Sequence, residues 1–514
     1  MARTQNSIRN IMAAMLGQLG GILVNLLARV FFLHYLNQTY LGLNGLFTNV
    51  LTMLSLVELG VGPAMAYRLY RPLAEQDTER IKSYMAFYKK AYITIGLCIA
   101  ALGLIFLPFY TVFMDEVPDI PHLNTIYLLF VANTVISYFY SYKRSVIVCD
   151  QKKYIETAVH YTFYFVLNVA QIIFLALTKS YVIFLVLQVI STWTENFLLA
   201  RKADRMYPYL RDKDVRPLDR EESRSIFRSV GAMSLHKVGA VVVNSTDNIL
   251  ISKLIGLATA GLYNNYYTII HPLQTVTNQF FESIVASVGN LTASIADGNR
   301  EHLLETFHNV FFFAFWLYTF CSICLLNLMH PFIEFLWLRN HGWLLDDMTL
   351  YILVINFYMY GMRRPALTFR DAAGAFWHDR YKPLFESAIN LVASILLAKR
   401  MGIAGIFLGT LVSTVTTSFW VEPKVLYNHV LRAPLKDYFI RFFTSTIPGF
   451  LACLVTTWLC NRVGYSLLSL IPRFLICMIV PNVMLFAMFF WTKEFAYFKE
   501  LVRSIVRKVR RHDG

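Results

Sequence analysis

Runs of roughly 20 mainly apolar residues, each long enough to cross the hydrocarbon core of a bilayer, recur along nearly the whole chain with short polar breaks between them. Only 15% of the 514 residues are charged and 56% are hydrophobic. Mean hydropathy is +0.49, too apolar for a surface that faces water. The pattern predicts spans at 8–36, 40–67, 85–113, 123–148, 154–178, 180–200, 226–254, 257–291, 303–336, 348–371, 382–398, 402–425, 440–461 and 470–491. The expected fold is an all-α integral membrane protein of about fourteen transmembrane helices. The opening MARTQNSIRN runs into a long apolar segment without a small-residue cleavage site, so the first span reads as a retained helix.

Lys and Arg fall on alternate loops. Putting the N-terminus, every second loop and the C-terminus on one side gathers roughly 35 of the 47 basic residues there, against about seven opposite. That side is expected to be cytoplasmic, with both termini on it. The net charge of +15 is mostly this asymmetry, which sets nucleic acid aside as a partner. The stretch RKADRMYPYLRDKDVRPLDREESRSIF, of mixed charge and with two prolines, divides the chain near its midpoint and reads as a linker. The expected organisation is an N-terminal lobe at 1–200, a cytoplasmic linker at 201–225, a C-terminal lobe at 226–425, a last helix pair at 426–492 and a basic amphipathic tail at 493–514. In that tail Phe495, Phe498, Leu501, Val502 and Ile505 share one face, as an anchor on an anionic leaflet would. The cysteines Cys98, Cys149, Cys321, Cys324, Cys453, Cys460 and Cys477 read as lipid-buried thiols, and no metal site or cofactor is expected.

The halves repeat. A shift of 219 residues puts Gly20 on Gly239, Asn25 on Asn244, Gly42 on Gly261 and Leu43 on Leu262, and a shift of 223 puts Asn133 on Asn356 and Ile183 to Leu185 on Ile406 to Leu408. Six helices thus repeat as six, leaving the last two outside. Because six is even, both copies enter the bilayer in the same sense, a parallel repeat whose lobes are expected to enclose a central cavity.

Ionisable residues within spans cost at least about 2.5 kcal/mol at the helix centre, so they mark a cavity or a partner. Gln18, Asn25 and Arg29 share a face of the first helix, and their counterparts are Lys237, Asn244 and Asn248. The eighth helix carries Asn264, Thr268, His271, Thr275, Asn278 and Glu282 at spacings of four and three. The fourth offers Asn133, Ser137, Ser141 and Arg144, and the tenth Asn356, Tyr360, Arg363 and Arg364. Such groups either hydrogen-bond between helices as packing glue or line the cavity. For the cations Arg29, Lys237, Arg363 and Arg364 the choice is between pairing with Glu58, Glu195, Asp247 or Glu282 and forming a cationic cavity suited to phosphate. Asp247, Glu282 and Glu58 are candidates for proton or sodium coupling, with a salt bridge as the alternative for Asp247. Pro63, Pro272 and Pro365 fall inside spans and are expected to kink them.

The stretch STDNILISKLIGLATAGLYNNYY, with Asp247, Asn248, Gly256, Gly261 and Tyr263, resembles the pattern of Wzx-type polysaccharide flippases in the multidrug/oligosaccharidyl-lipid/polysaccharide (MOP) exporter superfamily. VELGVGPAMAYRLYRPLAEQD is similar to that family's second helix and following loop. The resemblance implies two six-helix lobes plus two helices, alternating access, and transfer of a polyprenyl-diphosphate-linked oligosaccharide from the cytoplasmic to the outer leaflet of a bacterial plasma (inner) membrane. Arg29, Lys237, Arg363, Arg364, Asn25, Asn244, Asn248, His271 and Asn278 are then the candidate diphosphate and sugar contacts. Membrane lipids and other polysaccharide-assembly proteins are the implied partners. The chain lacks a glycine-rich phosphate loop ending in Gly-Lys-Ser or Gly-Lys-Thr, so it is not expected to hydrolyse ATP, and no catalytic constellation points to an enzyme. Two other functions compete with the flippase: a multidrug cation antiporter of the same fold, and a membrane polysaccharide polymerase or acyltransferase. Arg29 and Lys237 speak against the first, and outer loops of only a few residues against the second.

Overall fold

The computed structural model describes residues 2–58, 61–150, 152–212, 214–224, 226, 230, 246–293, 300–339, 341–373, 375, 378–379, 381–500 and 503. Among them the chain is helical throughout and has no strand. In chain order the helices are α1 (Ala2–Tyr35), α2 (Gln38–Leu54), α3 (Val61–Glu75), α4 (Thr78–Phe106), α5 (Leu123–Cys149), α6 (Lys153–Thr178), α7 (Tyr181–Met206), α8 (Leu257–Ala293), α9 (Arg300–Pro331), α10 (Asp347–Ala372), α11 (Lys382–Ser413), α12 (Phe419–Val425), α13 (Leu435–Arg462) and α14 (Leu470–Phe489). A further helical stretch covers 246–254, and most of the expected seventh span, including Lys237 and Asn244, lies outside the described residues.

The starts of several helices follow from their caps. Asn37 accepts the backbone N–H groups of Thr39 and Tyr40 at 3.0 and 3.3 Å and so opens α2. Asp77 does the same for Arg80 N at 3.0 Å ahead of α4, and Asp346 for Thr349 N at 2.9 Å ahead of α10.

Eight of the described helical segments are long and apolar enough to cross a membrane, one of them the long element Lys382–Leu431. That element is two spans. Gly402 has a φ of 58° and turns the chain back on itself, a conformation glycine adopts without a Cβ penalty. Across the turn Ser394 Oγ donates to Ile406 O at 2.9 Å and Asn390 Nδ2 to Thr410 Oγ1 at 2.9 Å. Of the helices outside this set, α1, α8 and α10 carry the polar faces read from the sequence.

The chain forms two compact units, residues 1–264 and 265–514. In the first, α1 packs on α6, and α5 on both α4 and α7. The start of α8 crosses α2 here at two glycines: a Cβ on Gly42 would lie 1.9 Å from Leu257 O, and one on Gly261 would lie 2.2 Å from Gln38 O. Gly42 and Gly261 are equivalent under the 219-residue shift, as are Gln38 and Leu257. This reciprocal contact between equivalent residues fits the repeat read from the sequence. The second unit packs α9 against α10, α13 and α14 around a core that includes Phe307, Phe311, Phe315 and Phe369. Phe495 and Phe498 of the tail turn onto this unit. Their rings lie 5.9 Å from Trp316 and 5.7 Å from Phe313. The first turns of the tail are therefore docked on protein through the apolar face expected to meet lipid, because aromatic rings of α9 lie within reach.

Candidate functional site

Two predicted polar groups come together in the same way, one in each unit. In the first, Asn25 Nδ2 of α1 donates to the Tyr164 hydroxyl of α6 at 3.1 Å. Arg29, one turn further along α1 and partly buried, lies where Tyr164 and Tyr181 feel its charge. In the second unit Asn278 Nδ2 of α8 donates to the Tyr360 hydroxyl of α10 at 2.6 Å. One turn on, the Arg364 guanidinium sits 5.8 Å from the centre of the Tyr360 ring. Arg364 Nε is buried without a hydrogen-bond acceptor among the described residues. Asn, Tyr and Arg thus form a polar group on the repeated helices of each unit.

Arg363 is placed differently. Its Nε and Nη2 donate to the two oxygens of Glu422 at 3.0 and 2.7 Å, and Nη1 reaches Glu386 at 3.3 Å. Lys382 Nζ completes the group, 2.5 Å from Glu422 and 3.5 Å from Glu386. The fork of a guanidinium matches a carboxylate edge-on, and the second cation balances the second carboxylate. Glu422 sits in α12 between the π-helical stretches Thr414–Ser418 and Leu426–Leu431 and is 1% exposed. Arg363 had four expected internal partners, Glu58, Glu195, Asp247 and Glu282; its carboxylates are instead Glu386 and Glu422, which sequence reading missed. Both lie at the start or end of spans, where a carboxylate is unremarkable by hydropathy.

Glu58 is held by tyrosines. Tyr92 and Tyr138 donate their hydroxyls to its two oxygens at 2.7 and 2.8 Å, and Tyr88 continues the chain from Tyr92 at 3.2 Å to Ser145 Oγ at 3.1 Å. These residues line a cavity of about 630 Å³ whose other wall carries Arg144, His160, Glu195 and Asn196. There Arg144 pairs with Glu156 and His160 Nδ1 lies 2.9 Å from Glu195. Asn248 is buried, and its carbonyl accepts the Ser252 hydroxyl at 2.8 Å. Asp247 beside it is partly buried. His271 is exposed and stacks near Tyr267, ring centres 4.9 Å apart, and Glu282 is exposed. Neither belongs to the clusters above. Lys237 and Asn244 fall outside the described residues.

Comparison with known proteins supplies the lineage. The family described as polysaccharide biosynthesis protein matches residues 7–286. No curated protein sequence matches the chain. Among solved structures the chain is similar to the lipid II flippase MurJ in an inward closed conformation, at 14% identity over 96% of this chain and 100% of that one, TM-score 0.66. It is also similar to an inward-facing multidrug resistance MATE family transporter of the MOP superfamily, at 15% identity over 79% and 94% of the two chains, TM-score 0.62. A MOP superfamily transporter from Pyrococcus furiosus aligns at 12% identity over 84% and 97%, TM-score 0.56. These identities speak for the fold, an all-helical membrane transporter architecture, and the family match speaks for the lineage. The chain belongs to the polysaccharide biosynthesis protein family and has the fold of the MOP superfamily transporters.

Proposed function

We propose that this chain is a flippase that carries a polyprenyl-diphosphate-linked oligosaccharide from the cytoplasmic to the outer leaflet of a bacterial inner membrane by ion-coupled alternating access, with both termini in the cytoplasm. The observation that carries the reading is Arg364. It is an intramembrane guanidinium with a buried Nε, seated on the Tyr360 ring beside Asn278, and no described carboxylate pairs with it. A cation without a protein carboxylate suits a diphosphate, which forms charge-assisted hydrogen bonds with it. Arg29, beside Asn25 and Tyr164, is the second cation we assign to the site; it is not the repeat equivalent of Arg364, since the 219-residue shift puts it on Asn248. Arg363 is already neutralised by Glu422 and Glu386 and takes a structural role. The polysaccharide biosynthesis family and the likeness to a lipid II flippase support a lipid-linked cargo.

The test is flipping of a fluorescent polyprenyl-diphosphate oligosaccharide in proteoliposomes. Arg364→Ala and Arg29→Ala are expected to slow transfer at least tenfold with unchanged protein recovery, about 1.4 kcal/mol or more of lost transition-state stabilisation. Wild-type rates in both variants overturn the cationic site. For coupling, Glu58 in its hydroxyl cradle is the first candidate and Asp247 the second. Transfer is expected to respond to an imposed proton or sodium gradient, and Glu58→Gln or Asp247→Asn to abolish that response. One observation favours the multidrug antiporter as a second reading: Glu58 and Glu195 face a single cavity, where a cationic drug would find carboxylates. Uptake of a cationic dye by the same vesicles, with no movement of the lipid-linked sugar, would decide for it.

A further inference from the structure

We infer that Cys460 and Cys477 form a disulfide bond that staples α13 to α14. The two thiols are 3.8 Å apart, Sγ to Sγ, and both are fully buried. They occupy the single buried stripe of each helix: Gly449, Ala452, Thr456 and Cys460 on α13, and Cys477, Pro481 and Leu485, four residues apart, on α14. Closing the bond to about 2.05 Å requires the sulfurs to approach by less than 2 Å, within reach of χ1 adjustment when Cβ atoms already face each other.

The hairpin is arranged to hold this register. Arg473 Nε donates to Gly464 O at 2.9 Å across the 463–469 turn, its guanidinium lies 5.3 Å from the Tyr465 ring, and the Tyr465 hydroxyl donates to Glu334 at 2.6 Å. These polar groups place the turn at the membrane surface, beginning three residues beyond Cys460. In the orientation of the proposed function this surface faces the outer compartment, where dithiol–disulfide oxidases act, so the inference rests on that orientation for its oxidant. One cysteine thiolate attacks the oxidase disulfide, giving a mixed disulfide and releasing one oxidase thiolate. The second cysteine then attacks the mixed disulfide, closing the Cys460–Cys477 bond and releasing the other. Two electrons pass to the oxidase, and the two protons lost by the cysteines end on its thiolates. The reaction belongs to folding, before the hairpin docks and buries both sulfurs.

Cells producing the full-length protein are quenched with N-ethylmaleimide under denaturing conditions and the protein is digested with trypsin without reductant. Arg462 and Arg473 both lie between the two cysteines, so cleavage puts Cys460 on 442–462 and Cys477 on 474–493. The expected result is that most of both peptides run as one linked species, two hydrogens lighter than the sum of the free peptides and separated by reductant, and that the link persists in Cys324→Ser and in Cys453→Ser, the other cysteine of 442–462, and is lost in Cys460→Ser and Cys477→Ser. N-ethylmaleimide on both cysteines overturns the inference, as does a link from Cys477 to Cys324, the other thiol near it. Orientation is read independently, by labelling of Leu468→Cys in intact cells with an impermeant maleimide: alkylated native cysteines beside a labelled Leu468→Cys reject the disulfide and leave the transport reading standing.

Discussion

Each half of the molecule places an arginine of its fourth or tenth expected span against a glutamate at the start of the next, and joins that next helix to a carboxylate of the one after. In the first half these are Arg144 to Glu156 and His160 to Glu195, and in the second Arg363 to Glu386 and Lys382 to Glu422. The scaffold is shared, but the chemistry differs. In the first half the pairs are separate and stand at the wall of a cavity, with the Arg144 and His160 side chains 37% and 44% exposed. In the second half two cations and two carboxylates close into one group, and the Lys382 and Glu422 side chains are 8% and 1% exposed. Water reaches the cations of the first half, although Glu156 is itself only 5% exposed, whereas in the second half both signs are buried and the group is costly to break because a survivor is left uncompensated. The second half is therefore locked where the first is open to a cavity.

That contrast predicts a ranking. Glu422→Leu leaves Arg363 and Lys382 to share Glu386, and is expected to destabilise the protein by about 3–5 kcal/mol, read as a loss of monodisperse protein on heating in detergent. An effect as small as that of a surface charge would mean the second half is not locked. Where the halves are alike the costs should be alike. Gly42→Ala and Gly261→Ala each push a methyl onto the opposing backbone, and each is expected to cost about 1–3 kcal/mol by overpacking, within experimental error of the other. Unequal losses would show that the crossing is not symmetric. The smallest effect is expected for His160→Ala, about 1 kcal/mol or less in thermal stability because water reaches the 44% exposed imidazole. A loss matching that of Glu422→Leu would erase the contrast between the halves.

Much of the architecture was legible because hydropathy is a local property. The ends of α5, α6 and α13 fall within a few residues of the spans read from apolar runs, and the break between the spans at 398 and 402 is the turn at Gly402. The polar faces of α1, α8 and α10 were legible for the same reason, since helical spacing alone places Asn25 with Arg29 and Asn356 with Tyr360. Pairing was not. Glu422 lies 59 residues from Arg363, and no periodicity connects them. Glu58 looked like a coupling carboxylate in search of a cation, but tyrosines of α4 and α5 hold it. His271 and Glu282 sit on the predicted polar stripe yet are exposed and apart from the clusters.

The sequence by itself determined that the chain lives in a bilayer and where most of its helices fall, because both follow from the cost of placing a residue in hydrocarbon or in a turn; it did not show that the expected span 40–67 is two helices, Gln38–Leu54 and Val61–Glu75, or that the expected span 85–113 lies at Thr78–Phe106. Tertiary structure alone decided which cations meet a carboxylate and which do not among the described residues. Arg363 and Arg364 are neighbours in the chain, and a step of about 100° around the helix sends one to Glu422 and the other onto Tyr360.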